Sequence, residues 1–489
     1  MPSTNAARSQ GRRILVASNR GPVSFVRDES GEVMAKRGTG GLVTALTGAL
    51  QLSGGLWIAS AMTDEDREQA ATGGLEAAGE ALPRLRYLSF DAETYDGFYN
   101  GISNRVLWFL HHMLWDIPRA PSFDDDTRLA WDAYVRINRA FAEALAQEGE
   151  DSDEAVYLVQ DYHLALVPAM LRTLRPTAHI AHFSHIPFAD AGYLRILTAP
   201  MRTALVEGLL GADVIGFQAR AWASNFLRSV QAHTDTPVDL GQRTIHWQGR
   251  EVRVGVYPIS IEVEALRKGS VGDEVDRAAR TVARWRGDRK LLLRVDRAEL
   301  SKNILRGFDA YESFLSKRPD WRDRVVFLAL LNPSRTDVPE YQAYMKEVRA
   351  AARRINARFG LEGWQPVRLS IRDDFATTMA AYSVYDVLLV NPVFDGMNLV
   401  AKEGPVLNER DGALILSENA GAFEELGRYA LAIDPFDVGQ TADSIGAALD
   451  MDEGERSRRA AGLRDVIEAN RLDGWVLAQL DDLERARRP

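Results

Sequence analysis

The chain has 489 residues, 46% hydrophobic and 26% charged, a soluble globular composition too long for one core and suited to two or three domains. A formal net charge of −10 argues against a broad nucleic-acid surface, and the absence of cysteine excludes disulfides, thiolate chemistry and Cys-ligated metals. Met1 to Arg13 lacks the apolar centre of a secretion signal, and no apolar run approaches the roughly 18 residues of a membrane span, so a cytoplasmic protein without membrane contact is expected.

In chain order, short β-like runs alternate with helical patterns: Ile14 to Ser18, Leu56 to Ala59, Ala155 to Val159, His179 to Phe183 and Val214 to Phe217. That alternation predicts an α/β protein of parallel sheets covered by helices. Leu42, Ala45, Leu46, Ala49 and Leu50 recur at helical spacing, as do Leu164, Val167, Met170, Leu171 and Leu174, and both faces are read as core. A second set of strands, at Leu291 to Val295, Val325 to Leu330, Tyr385 to Val390 and Ala413 to Leu416, begins after Val254 to Ser260. The domain boundary is therefore placed near Pro258, giving domains of 1–257 and 258–470. A terminal helix over 471–489, with Trp475, Val476, Gln479, Leu480 and Leu483 on one face, is expected to pack back on the first domain. Open parallel sheets bind ligands beyond the carboxyl ends of their strands, so two doubly wound domains facing each other are expected to place a site in a central cleft.

The polar residues that follow the strands are the candidates for chemistry. Ser18-Asn19-Arg20-Gly21-Pro22 follows the first strand, and Arg37-Gly38-Thr39-Gly40-Gly41-Leu42 opens a helix, where glycines allow close approach to a phosphate and helix amides favour anions. The spacing is neither that of a dinucleotide fingerprint nor that of a Walker loop. Asp161 and His163, with His185, also follow strands and lack metal-site spacing. Asp124-Asp125-Asp126 and Asp373-Asp374 read as loops or helix caps rather than ligands. In the second half, Arg297 and Lys302 leave a strand toward a helix whose N-cap is read as Ser301. These two cations are either a diphosphate grip or partners of Asp296 or Glu299. Arg335 is a third cation past a strand. Asn391 to Glu403 runs from a strand into a helix, and its Asp395-Gly396 turn, Asn398 and Glu403 suit either an anion-binding helix start or an ordinary turn.

Taken together these pieces resemble the trehalose-6-phosphate synthases, retaining glycosyltransferases of the GT-B fold with two Rossmann-like domains. The resemblance runs from about Ile14 to about Leu483. It rests on Ser-Asn-Arg with Gly-Gly-Leu, Tyr99-Asn100 with Ser103-Asn104 and Leu107-Trp108, Asp161-Tyr162-His163-Leu164 and His185-Ile186-Pro187-Phe188. Gly208 to Asp213, Val295-Asp296-Arg297 and Asp395 to Glu403 complete it. The resemblance implies transfer of glucose from UDP- or GDP-glucose to glucose 6-phosphate, giving trehalose 6-phosphate, with no metal and no cofactor. It implies an acceptor-binding first domain, with Arg20, Tyr99, Trp108 and Arg335 on glucose 6-phosphate, and a nucleotide-sugar-binding second domain. Gly40, Gly41, Arg297, Lys302 and the run Asp395, Gly396, Met397, Asn398 and Leu399 would hold the donor, with Glu403 on the ribose. Asp161, His185, Arg297 and Lys302 are the catalytic set it implies. Small molecules are the expected partners, with no nucleic acid, and the sequence leaves a homo-oligomer open.

Three departures from the commoner pattern stand out: Glu299-Leu300 for Asp-Tyr, Lys302-Asn303 for Lys-Gly, and Ala189 for Pro. A related pseudo-glycosyltransferase group that couples cyclitols through nitrogen shares Lys-Asn and a run like Asn408-Glu409-Arg410-Asp411. It is one alternative reading, and a catalytically silent regulatory subunit is another. The choice between UDP- and GDP-glucose stays open.

Overall fold

The computed structural model describes residues 13–28, 31–37, 43, 46–47, 50, 53, 55–72, 84–152, 154–336 and 338–486. The chain divides into two compact units, Met1–Ile259 together with Leu472–Pro489, and Ser260–Arg471.

In the first unit the strands are β1 (Ile14–Ser18), β2 (Val23–Arg27), β3 (Val33–Arg37), β4 (Leu56–Ser60), β5 (Arg84–Leu88), β6 (Val156–Gln160), β7 (His179–Ser184), β8 (Val214–Phe217), β9 (Val238–Asp239), β10 (Thr244–Trp247) and β11 (Arg250–Val256). Its main sheet has the order β5-β4-β1-β6-β7-β8-β11-β10-β9. The first seven strands pair in parallel as expected, and β10, antiparallel to both β11 and β9, adds an antiparallel edge. The short turn at Gln248 and Gly249, where both residues have positive φ, allows a hairpin where a helical crossover would have kept the strands parallel. β1, β4, β6 and β8 are buried along their whole length, as strands covered on both faces must be. β5, which begins with the alternating Arg84-Leu85-Arg86, and the β2–β3 hairpin were not anticipated, because polar alternation reads weakly beside apolar runs.

The second unit holds β12 (Lys290–Arg297), β13 (Val325–Asn332), β14 (Val367–Ile371), β15 (Val387–Val390), β16 (Ala413–Ser417) and β17 (Leu431–Ile433). All pair in parallel in the order β14-β13-β12-β15-β16-β17. This is the doubly wound order in which the direction of winding reverses between β12 and β15. In the first unit the corresponding reversal lies between β1 and β6, which pair from Ile14 with Val156 onward. Loops leaving the carboxyl ends of these four strands are spread apart by the reversal and open a crevice in each unit.

Both acidic runs act as caps: Asp124 accepts from Thr127 N at 2.9 Å and Asp374 from Thr377 N at 3.0 Å. The terminal helix Leu472–Ala486 buries Trp475, Val476, Gln479 and Leu483 in the first unit. There Trp475 meets Phe183 edge-on at 4.8 Å, and Asp482 accepts from the Tyr257 hydroxyl at 2.7 Å. None of the described helices is long and apolar enough to cross a membrane.

Candidate active site

In the first unit, Asn19 and Arg20 leave β1. Asn19 is buried, with its carbonyl accepting from Ser60 N and its side-chain oxygen from the Tyr95 hydroxyl. Arg20 is exposed and makes no ion pair among the described residues. Gly40 and Gly41 lie outside the described residues. Tyr99 sits in an eleven-residue π-helix, Gly97–Leu107, a wide coil that recurs at functional sites. It stacks on Tyr95 at 5.6 Å and on His163 at 6.0 Å. Trp108 follows that helix and stacks on His112 at 3.9 Å.

Asp161, just past β6, has φ 72 and ψ 168. Its backbone is pinned: its N–H donates to Phe183 O at 2.7 Å and its carbonyl accepts from His182 Nε2 at 3.2 Å. Its carboxylate accepts from His185 N at 3.1 Å. Holding a non-glycine residue in so sparsely populated a conformation takes this many partners, and such strain is typical of functional sites.

His185 is clamped by two glutamines that the sequence did not single out. Its Nε2–H donates to Gln160 Oε1 at 3.1 Å, and its Nδ1 accepts from Gln218 Nε2 at 3.4 Å. Gln218 is oriented by Ile259 N, which donates to its Oε1 at 2.8 Å. Burial, with neighbouring His182, pushes the ring down to about 3, so it is neutral at neutral pH. A neutral, oriented imidazole can exchange hydrogen bonds with a hydroxyl but does not serve as a cation. Burial likewise lowers His111 to about 3 and His182 to about 4 from 6.5. Since the unfolded chain binds these protons first, stability is full above about 6.5 and falls as pH drops toward those values. The expected loss is about 1.4 kcal/mol per pH unit for each histidine over that window. Urea denaturation between pH 7 and pH 5 checks this, with His111→Asn and His182→Asn expected to flatten the slope; an unchanged slope would refute it.

In the second unit, the loops after β12 and β15 meet across the reversal. Lys302 Nζ lies 2.5 Å from Asp395 Oδ2, and Asn398 Nδ2 donates to the same oxygen at 3.0 Å. Asn398 has φ 82, and its Oδ1 accepts from Ala401 N, capping the helix Val400–Leu407. The amides of Leu399 and Val400 at that helix start have no partner among the described residues, as first-turn amides do without a ligand. Gly396 and Met397 lie against Gly421, where a Cβ would stand 1.9 Å from Gly396 O, so the turn tolerates only glycine there. Glu403 is half-buried, and the loss of solvent around it raises its carboxyl, while the Tyr382 hydroxyl donates to Oε2 at 3.1 Å.

Arg297 Nη1 and Arg335 Nη1 each lie 2.7 Å from Glu299 Oε1. Of the two partners weighed for Arg297, the ion pair forms with Glu299, and Asp296 turns instead to Arg294. Burial alone would raise Glu299, but the charges of Arg297, Arg335 and Lys302 and the Ser334 hydroxyl outweigh it and hold it at about 2.

Ser301 is not the N-cap of the helix Ile304–Lys317. It lies in a tight 3₁₀ turn, Leu300–Lys302, and Asn303, in the left-handed conformation at φ 58, precedes the first helical residue. That φ explains glycine at this position in the commoner pattern and asparagine here. Asn303 Nδ2 donates to Asn391 O at 3.0 Å and Pro435 O at 2.7 Å, tying three loops.

Arg294, inside the strand run Leu291 to Val295, is the organiser the sequence hid. Wholly buried, it donates to Asp296 Oδ2 at 2.7 Å, Lys302 O at 2.6 Å and Asn391 Oδ1 at 2.5 Å, stitching the β12 loop to the β15 loop. Gly307 makes room, since a Cβ there would meet Arg294 Nη1 at 2.3 Å. Its signal was a charge amid the β12 apolar run. No group of three or more His, Asp or Glu able to hold a metal occurs among the described residues.

The chain has the GT-B fold, built of two doubly wound α/β units. The chain belongs to glycosyltransferase family 20, whose sequence profile matches residues 12–485. It is 34% identical to a validamine 7-phosphate valienyltransferase of Streptomyces hygroscopicus subsp. jinggangensis, covering 97% of this chain and 94% of that protein. It is 37% identical to a trehalose-6-phosphate synthase of Mycolicibacterium paratuberculosis, covering 96% and 94%. Among solved structures, an alpha,alpha-trehalose-phosphate synthase (UDP-forming) from Burkholderia xenovorans in complex with glucose-6-phosphate superposes with a TM-score of 0.82. The two share 28% identity over 96% of this chain and 100% of that one.

Proposed function

We propose that the chain transfers glucose, with retention, from UDP- or GDP-glucose to glucose 6-phosphate, forming trehalose 6-phosphate. The observation that carries this reading is the pairing of Lys302 with Asp395 at the winding reversal of the second unit, just before an open helix start and with Arg297 at the end of β12. A nucleoside diphosphate leaving the sugar gathers negative charge on its β-phosphate. A guanidinium, an ammonium and the Leu399 and Val400 amides are the donors such a charge needs. In this reading Asp395 meets the donor sugar, His185 the sugars around the reacting carbon, Glu403 holds the ribose, and Arg20, Tyr99, Trp108 and Arg335 receive glucose 6-phosphate. Asp161, held beside His185, completes the set around the reacting carbon.

Turnover is expected to survive dialysis against a chelator, because Arg297 and Lys302 supply the positive charge that a divalent ion would otherwise bring. Loss of activity restored by magnesium would refute that. The function itself is tested by incubating the protein with glucose 6-phosphate and either donor, where absence of trehalose 6-phosphate with both would end it.

The likeness to a valienyltransferase motivates a second reading, coupling of a GDP-cyclitol to an aminocyclitol phosphate. Lys302-Asn303 lends it little, because the Asn303 amide is engaged by two backbone carbonyls. Competition between glucose 6-phosphate and an aminocyclitol phosphate separates the two, and turnover by the isolated chain ends the silent-subunit reading.

A further inference from the structure

We propose that Glu299 is a positioning residue that sets the guanidinium groups of Arg297 and Arg335 together, through a single buried carboxylate oxygen. This rests on the reading above, in which Arg297 meets the donor diphosphate and Arg335 the acceptor phosphate. The two arginines come from different loops. Arg297 ends β12 and Arg335 follows β13, and these strands are register neighbours, with Arg297 opposite Asn332. Glu299 is wholly buried, and its Oε1 lies 2.7 Å from Arg297 Nη1, Arg335 Nη1 and Ser334 Oγ alike.

Its backbone leaves little freedom. Glu299 N donates to Arg297 O at 2.8 Å, and its carbonyl accepts from Lys302 N at 3.1 Å. Each Nη1 lies 2.7 Å from the same oxygen, so the two nitrogens are within twice 2.7 Å of each other, and without the carboxylate the two like charges would repel. With it, the trio keeps one net positive charge for an anionic ligand. Each guanidinium has five N–H donors in a rigid fork, so fixing one nitrogen aims the rest. An aspartate is shorter by one carbon–carbon bond of about 1.5 Å, so from this backbone position its oxygen would fall short of the point that lies 2.7 Å from both arginines. The glutamate that departs from the commoner pattern has the length this bridge spans.

The test uses the full chain and Glu299→Gln, which preserves shape and removes charge. In wild type labelled with ¹⁵N-arginine, the side-chain signals of Arg297 and Arg335, assigned with Arg297→Lys and Arg335→Lys, are expected to show hindered guanidinium rotation, and both are expected to be freed in Glu299→Gln. Unchanged signals overturn the proposal. Calorimetric affinity for UDP or GDP and for glucose 6-phosphate is expected to fall about tenfold or more in the variant, for both classes of ligand. In an Arg335→Ala background the same substitution is expected to leave glucose 6-phosphate affinity unaltered while still weakening nucleotide binding. A loss of equal size in that background, or a loss confined to one ligand, overturns the shared role. Wild type that forms no trehalose 6-phosphate would defeat the functional reading alone, and the arginine signals would still decide the role of Glu299.

Discussion

Lys302→Ala is expected to lower kcat by roughly 10²- to 10³-fold, with a smaller change in KM for the nucleotide sugar. Lys302 is poised rather than merely present: its carbonyl is held by Arg294 and its ammonium by Asp395, with both side chains largely withdrawn from solvent. A donor fixed before the reaction stabilises developing charge without reorganising, and a withdrawn site screens it little. The substitution also leaves Asp395 without its cation, so the carboxylate beside the departing phosphate would oppose the charge it now faces. Steady-state kinetics check the expectation, with Lys317→Ala as the control. Lys317 pairs with Asp443 on the surface, where an ion pair contributes at most about 1 kcal/mol, and its loss should leave kcat alone. A Lys302→Ala variant altered only in KM would show uniform binding of ground and transition states and overturn the assigned role.

The largest effect on stability is expected from Arg294→Met, a loss of about 3–5 kcal/mol in the unfolding transition of the second unit. Removing one partner of a buried pair strands the other, and here the stranded group is Asp296, with Asn391 and the Lys302 carbonyl also losing their donor. Burial already raises the Asp296 carboxyl against the pull of Arg294 and Lys302. A carboxyl whose folded pKa exceeds its unfolded value binds more protons in the native state. Its contribution is therefore present at low pH and lost as pH rises through the folded value. With Arg294 gone the folded value climbs further, so the deficit relative to wild type should widen with rising pH. Guanidinium denaturation at mildly acidic and neutral pH measures it, and a deficit independent of pH would show that Asp296 carries no part of it. Activity should fall in parallel, since the same guanidinium joins the two loops that present Lys302 and Asp395.

The two α/β halves were legible in the sequence, because strands covered on both faces must be continuous apolar runs and these are visible without a structure. Also legible were the polar residues near the strand ends, from Arg20, Asp161 and His185 to Arg297, Lys302 and the Asp395 to Glu403 run, since each stands at or shortly after the end of an apolar run. Which of them meet depends on the three-dimensional fold. Lys302 and Asp395 are 93 residues apart and touch because β12 and β15 flank the winding reversal. Residues that hold the site in shape were hidden for the same reason: Arg294, Gln160, Gln218 and Tyr382, and the bond of Glu299 to Arg335, involve partners in other loops or strands, and a one-dimensional pattern carries no distance between them. The Ser301 cap failed on a local point, a left-handed Asn303 whose conformation is stabilised by carbonyls 88 and 132 residues away. Chain-local chemistry was legible because it depends on spacing, and the clamps were not because they depend on packing.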